Sequence, residues 1–399
     1  MRIISSYGFI GENLDIKKEV SFKINNKGKI SSLSYEDIGE SLNLKSNESN
    51  YLIVPGFINS HIHIGDSFAK EEGFNKKLID IVAPPNGLKH RLLRTTSKEI
   101  INEGIKKAAI EMLSNGITFF VDFRENGVEG INILRESLQK ISIFNLILGR
   151  FLDFSEIEAV YEKADGIGLP SYNNLSFKVK DKLQNLKTYN EKIIACHDSE
   201  VFRDEILFDE MLKENLVDII IHGTQYNRED LEKIKEKKKS LILCPRSNGY
   251  FGVGFPPISD IIDLEIPISL GTDNIMANNT DLFEEMRYLY RIYRVLSKNE
   301  RDCMLTSKDL LKTVTINAAK NFRIQKEFGS ISEGKYANFF MVDLNEPNFY
   351  SYKLDQKNIH SLIVHRTKSE NIKKIYIRGV LVFERKCKTL HNFKCGDDN

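Results

Sequence analysis

The sequence predicts an α/β protein, a TIM-like (β/α)8 barrel accompanied by a small β structure drawn from both of its ends. Three observations carry that expectation. Between about Pro55 and about Gly329, short apolar strands alternate with amphipathic helices, the pattern of a parallel sheet with crossover helices. Both flanking segments are rich in strand patterns. The 399 residues, 41% of them hydrophobic, suffice for one large barrel plus a smaller companion.

In chain order, the N-terminal stretch places EVSFKI and KISSLSY on either side of the turn signal Asn25-Asn26-Lys27-Gly28, a hairpin pattern, and ends in YLIVPGF. The candidate barrel strands are GFINSHIH, ITFFVDF, FNLILGRF, GIGLP, KIIACH, VDIIIHG, SLILCPRSN and PISLGTD, each closing near a polar residue. Among the segments between them, SKEIINEGIKKAAIEMLSNG has a Ser cap, apolar residues at helical spacing and a Gly stop, and DLFEEMRYLYRIYRVL is a second amphipathic run. The charge run KIKEKKKS at 233–240 reads as a solvated helix end. Beyond the Gly-rich break GSISEGKYA, the segments ANFFMVDL, HSLIVH and KKIYIRGVLVFER, the last turning near Arg378-Gly379, read as β-rich, so that the two ends would share one small sheet structure.

Composition narrows the partners. Lys and Arg number 57 against 56 Asp and Glu, a net charge of +1, so no global field draws the chain to nucleic acid or to an anionic membrane, and a small-molecule substrate is expected. The first residues lack the apolar core of a signal peptide, and no apolar run approaches the roughly 18 residues that span a bilayer, which makes the expected location cytoplasmic. Cys196, Cys244, Cys303, Cys387 and Cys395 are scattered, without a CxxC pair, as reduced thiols would be. The aromatic helix around Tyr288, Tyr290 and Tyr293 would serve either as the contact of a homodimer or as core.

The chemistry gathers at strand ends. His61 and His63 are two apart at the end of an apolar strand, so both imidazoles project to one face. Neutral imidazoles converging in this way ligate a borderline metal such as zinc. His197 closes KIIACH, His222 closes VDIIIHG and Asp273 closes PISLGTD, each where a parallel barrel strand delivers its last side chain to the C-terminal rim. Singly, His222 reads as a core histidine and Asp273 as a helix cap; together the strand ends point to a metal centre. Glu200, three residues after His197, would fall beside it if the chain turned into a helix there, within reach of water activated by the ion. The alternative is an ordinary first-turn helix carboxylate.

The segments PGFINSHIH, HDSE, IIHG, LGTDN and GSISEGKYANFFMVD resemble the amidohydrolase superfamily over nearly the whole chain, in particular its cytosine, guanine and adenosine-type deaminases and related chlorohydrolases. The resemblance implies a distorted barrel at 55–330, with a β-sandwich formed from 1–54 and from 331–399, whose end is a tail. It implies that His61, His63, His197 and Asp273 bind one divalent ion, zinc first with iron or manganese as alternatives. It further implies that His222 polarises the attacking water, that Glu200 moves protons and that Asp273 accepts the proton from water. Two-metal members resemble one another in a strand-four lysine that bridges the ions; ADGIGLPSYNN has none, leaving one metal unless Lys178 or Lys180 fills that place.

For substrate contacts, CPRSN is similar to a pocket-lining segment of the deaminases, making Arg246 and Asn248 candidate donors, with a structural Arg paired to a barrel carboxylate as the alternative. The segment APPNGLKHRLL offers Lys89, His90 and Arg91 near a lid, His90 being read first as structural and second as a substrate contact, and Arg124 and Arg150 add charge at the rim or serve as buried ion pairs. His360, His365 and His391 read as ordinary tail residues. The expected reaction is hydrolytic deamination of a nitrogen heterocycle (purine, pyrimidine, pterin or triazine-like) with release of ammonia. The alternatives are hydrolysis of an amide C–N or halide-bearing substrate at the same centre, and a non-catalytic metal-binding barrel.

Overall fold

The computed structural model describes residues 2–39, 41–42, 44, 50–173, 175–297 and 305–385. Four strands precede the barrel, β1 (Arg2–Ile10), β2 (Asp15–Ile24), β3 (Ile30–Asp37) and β4 (Tyr51–Pro55). The barrel strands are β5 (Phe57–His63), β6 (Ile117–Arg124), β7 (Phe144–Gly149), β8 (Gly166–Leu169), β9 (Ile193–Asp198), β10 (Ile219–His222), β11 (Ser240–Leu243), β12 (Ile268–Leu270) and β13 (Asp273–Asn274). Three more follow, β14 (Phe339–Asp343), β15 (Ile372–Ile377) and β16 (Val380–Glu384).

The strands form two sheets. One is seven-stranded in the order β16-β15-β14-β4-β1-β2-β3, so both ends of the chain share it, joined where Phe339 pairs with Pro55 across the antiparallel β14 and β4. The other is parallel, in the order β12-β11-β10-β9-β8-β7-β6-β5-β13. Because β12 and β13 are successive pieces of PISLGTD and β13 pairs with β5, that order closes on itself as a barrel. All eight expected barrel strands are present. Alternation drives Phe119, Val121 and Phe123 of β6, Ile219 and Ile221 of β10 and Ile242 of β11 into one buried cluster inside the ring. The His61 ring rests edge-on upon Phe123 of this plug, 4.1 Å between centroids.

The helix Lys98–Ser114 follows Ser97 and ends before Gly116, whose φ of 79° suits glycine. The helix Leu282–Leu296 begins at Asp281, whose carboxylate accepts from the Phe283 and Glu284 amides, and it buries Tyr293. Cys196 and Cys244 are buried free thiols, whereas Cys303, Cys387, Cys395 and His391 lie outside the described residues. Among the described residues no helix is long and apolar enough to cross a membrane.

Two expectations are corrected. HSLIVH is not a strand but part of a helix, Ile359–Arg366. Its buried residues Ile359, His360, Ile363 and Val364 form a stripe at four-residue spacing, and packing against neighbouring helices overrides the β preference of its branched side chains. The run at 233–240 is solvated only in part, since Lys239 is buried and its ammonium donates to Asn215 Oδ1 and to the Val217 carbonyl, each at 2.6 Å.

The break between β12 and β13 falls at Gly271, where an added Cβ would lie 2.5 Å from His61 Cβ and 2.7 Å from the His61 backbone nitrogen. Gly271→Ala is therefore expected to push β5 outward and to cost about 1–3 kcal/mol, the usual range for overpacking. Thermal unfolding together with metal content checks this; an unchanged melting temperature would contradict the close approach.

Candidate active site

The C-terminal rim of the ring is built from bent strand ends. His222 has φ 74°, Asp273 φ 59° and Ser199, just past β9, φ 49°, all in the left-handed region that non-glycine residues rarely adopt. Such conformations cost on the order of 1–3 kcal/mol each and persist where surrounding structure over-determines them. Here they turn β9, β10 and β13 sharply at the rim, where His197, Glu200, His222 and Asp273 all line one pocket.

His61, His63, His197 and Asp273 are brought together as expected. His61 Nε2 lies 3.3 Å from His197 Nε2 and 3.2 Å from Asp273 Oδ1, and His63 Nε2 lies 3.4 Å from the same oxygen. Ligand atoms held about 2.0–2.1 Å from a tetrahedral zinc ion stand about 3.3 Å from one another, and these three contacts match that spacing; within 4.8 Å the donors fall into two groups that share His61, one with His63 and Asp273 and one with His197 and His222. The outer nitrogens support the fit. His197 Nδ1 donates to the Leu169 carbonyl at 2.9 Å, and His63 Nδ1 faces the Phe123 carbonyl at 3.1 Å and Glu125 Oε1 at 2.7 Å, which leaves the Nε2 lone pairs inward. Burial keeps the imidazoles neutral, lowering His61 to about 3 and pulling His63 and His197 down as well. Burial would raise Asp273, but its hydrogen bond with His61 and the surrounding histidines hold it well below the usual carboxylate range. Ser247 Oγ donates to its second oxygen at 2.6 Å.

Glu200 and His222 stand beside this set, with Glu200 Oε1 3.6 Å from His222 Nε2. Together with Asp273 they form a second group whose donor atoms fall within 4.8 Å of one another. Glu200 does not reach its place on a helix, since the next helix starts only at Glu205; the left-handed Ser199 redirects the chain instead. Burial pushes the Glu200 carboxyl upward, against the pull of His222. Asn248 orients His222: its amide nitrogen donates to Thr224 Oγ1 at 3.2 Å, which turns its Oδ1 towards His222 Nδ1 at 3.0 Å. β8 carries no lysine, Lys178 is exposed, and Lys180 lies on the helix Phe177–Tyr189 with its ammonium on Glu210 at 2.8 Å.

The pocket over these residues measures about 190 Å³ and is completed by Lys89, Arg150, Ser171 and Asn274. Glu125, which the sequence reading did not single out, lies just past β6 and is fully buried with Oε1 2.7 Å from both His63 Nδ1 and Lys89 Nζ. Although burial opposes it, Lys89 and His63 hold this carboxylate well below its ordinary range. Its only sequence signal is an acidic residue one position beyond a strand end.

Comparison with known proteins gives a consistent likeness. The sequence model described as "Amidohydrolase family" matches residues 52–215 and 185–382. A putative aminohydrolase of Methanothermobacter thermautotrophicus is 31% identical, covering 84% of this chain and 87% of its own length. The 5-methylthioadenosine/S-adenosylhomocysteine deaminase of Thermoanaerobacter pseudethanolicus is 28% identical over 85% of this chain and 83% of its own. Among solved structures, the adenosine deaminase of Xanthomonas campestris with bound zinc superimposes with a TM-score of 0.79 at 16% identity, covering 95% of this chain and 92% of that one.

None of the four residues expected to touch substrate lines the small pocket itself. PRSN is the first turn of a helix, Pro245–Phe251, with proline at its first position, so strand alternation does not apply. Arg246 points away from the pocket: its Nε donates to Glu285 Oε1 at 2.7 Å and it also pairs with Glu284. Asn248 is spent on His222. His90, on the helix Leu88–Thr95, has Nε2 on the Val82 carbonyl at 3.0 Å and lines a neighbouring cavity instead. Arg124 is wholly buried beneath Gly65, where an added Cβ would lie 2.5 Å from its guanidinium. Because Glu285 is fully buried, Arg246→Met would leave an uncompensated charge and is expected to cost about 3–5 kcal/mol in denaturant unfolding. A substrate contact would instead leave stability unchanged and raise KM.

Proposed function

This chain belongs to the amidohydrolase family, and from that premise we propose that it is a mononuclear aminohydrolase acting on a nitrogen heterocycle. The observation that carries the reading is the pairing of two sets in one small pocket, a His/Asp donor set at metal-ligand spacing and a Glu200–His222 pair beside it. His61, His63, His197 and Asp273 would hold the ion. Three imidazoles and a carboxylate suit zinc, as do the spacing and the zinc of the Xanthomonas campestris relative, with iron or manganese as the other outcomes of metal analysis. A divalent ion there supplies Lewis acidity that makes water a nucleophile near neutral pH.

The chain's own residues then divide the proton work. Asp273 accepts the proton of the attacking water. Glu200 returns a proton to the departing nitrogen, so that a C–O bond forms, the C–N bond breaks and ammonia leaves. His222, fixed by Asn248, stabilises charge that develops where the substrate carbon becomes tetrahedral. The deaminase relative favours this over amide or halide cleavage, because the compounds it is named for carry an aminated purine.

Metal analysis and an ammonia-release screen over purines, pyrimidines, pterins and triazines test the reading. One equivalent of metal, activity lost to a chelator and restored by zinc, and ammonia from one class are expected. Tight metal with no turnover on any class would overturn it, and halide or a ring-opened product would move it to the amide or halide reaction. Glu200→Gln should keep its metal while turnover falls by about 10²–10⁴-fold, the usual weight of general acid–base catalysis.

A further inference from the structure

Lys89 and Arg150 line the small pocket, and the hydrolytic reading gives neither a task. Lys89 is 2% exposed; its ammonium meets Glu125 Oε1 at 2.7 Å and Asn274 Oδ1 at 3.0 Å, two partners for three N–H groups. Arg150 sits one residue past β7, at the junction between this pocket and an adjoining cavity of about 750 Å³, with Pro84, Pro170 and Ser171 on the shared wall. Its Nε is buried without a hydrogen-bond partner among the described residues, and its guanidinium forms no ion pair among them. Of the other charges on the larger cavity, Arg94 donates to the Pro85 carbonyl, Lys98 pairs with Glu136, Glu156 accepts from the Val128 and Leu152 amides, and Glu129 is exposed to solvent. Glu125, the carboxylate nearest both cations, is already held by Lys89 and His63.

Lys and Arg side chains donate and never accept. A wall that offers a spare ammonium proton and an unpaired guanidinium is complementary to a group that only accepts, and a desolvated cation is costly until such a group arrives. The geometry points to a substrate whose heterocycle carries an anionic group, a carboxylate or a phosphate, seated against Lys89 and Arg150 where the two cavities meet. This rests on the pocket being the substrate site, as proposed above, and not on which bond is broken.

Isothermal titration of the metal-loaded full chain with two matched pairs, orotate against uracil and adenosine 5′-monophosphate against adenosine, separates carboxylate from phosphate without requiring turnover. At least one anionic member should bind about 30-fold more tightly than its neutral counterpart, the weight of one or two charge-assisted hydrogen bonds. Arg150→Met and Lys89→Gln should each lower that ratio at least tenfold with one equivalent of metal retained, and Arg150→Lys should restore part of it. Equal or weaker binding of both anionic members, or a ratio that survives both substitutions, overturns the proposal. A protein that shows the ratio but releases no ammonia keeps this subsite and loses the deaminase reading; one that deaminates a neutral heterocycle without the ratio does the reverse.

Discussion

Three imidazole nitrogens and one carboxylate oxygen, buried at the rim and joined by contacts of 3.2–3.4 Å that run from His197 to His61, from His61 to Asp273 and from Asp273 to His63, form the arrangement on which the rest of this structure depends. Lone pairs so close repel unless a cation lies among them, and neighbouring groups keep two of the three imidazoles aimed while burial keeps all three neutral. The apolar plug of Phe119, Val121 and Phe123 floors the site. The Leu169 and Phe123 carbonyls take the outward protons of His197 and His63, and Ser247 occupies the Asp273 oxygen that faces away from His61.

Charge is then distributed in layers. At the rim, Arg246 with Glu285 and Lys89 with Glu125 are buried pairs in which each ion compensates the other. The two pairs differ in kind. Arg246 and Glu285 lock one helix onto another outside the pocket, whereas Glu125 joins the pocket cation Lys89 to the imidazole of His63. One carboxylate therefore fixes both a cation of the pocket wall and the aim of one histidine.

The sequence made the ring and its strand-end residues legible because both follow from alternation: an apolar strand two residues per period must send His61 and His63 to one face, and a parallel strand must present its last residue at the rim. Contacts that depend on register or on tertiary packing were not legible. Nothing local distinguishes HSLIVH from a strand, since its helix exists by virtue of the surfaces it packs against. Arg246 looks like a pocket donor from the similarity of CPRSN to a pocket-lining segment, but Pro245 starts a helix there and the guanidinium turns to Glu285. Glu125 could not be tied to His63 without the pairing of β6 with β5. The direction in which Arg150 points, and the fact that no carboxylate among the described residues pairs with it, belong to three-dimensional placement alone.

The interruption of the eighth strand at Gly271 also bears on how the molecule assembles. β12 completes one flank of the ring and β13 reaches across to β5, so His61 and His63 come from the first barrel strand and Asp273 from the last. These donors meet only when the seam is shut. An ion that binds the shut ring and not the open chain adds its binding free energy to closure. In a ring so built, filling the centre would help to fasten the circle that the pairing of β13 with β5 already draws shut.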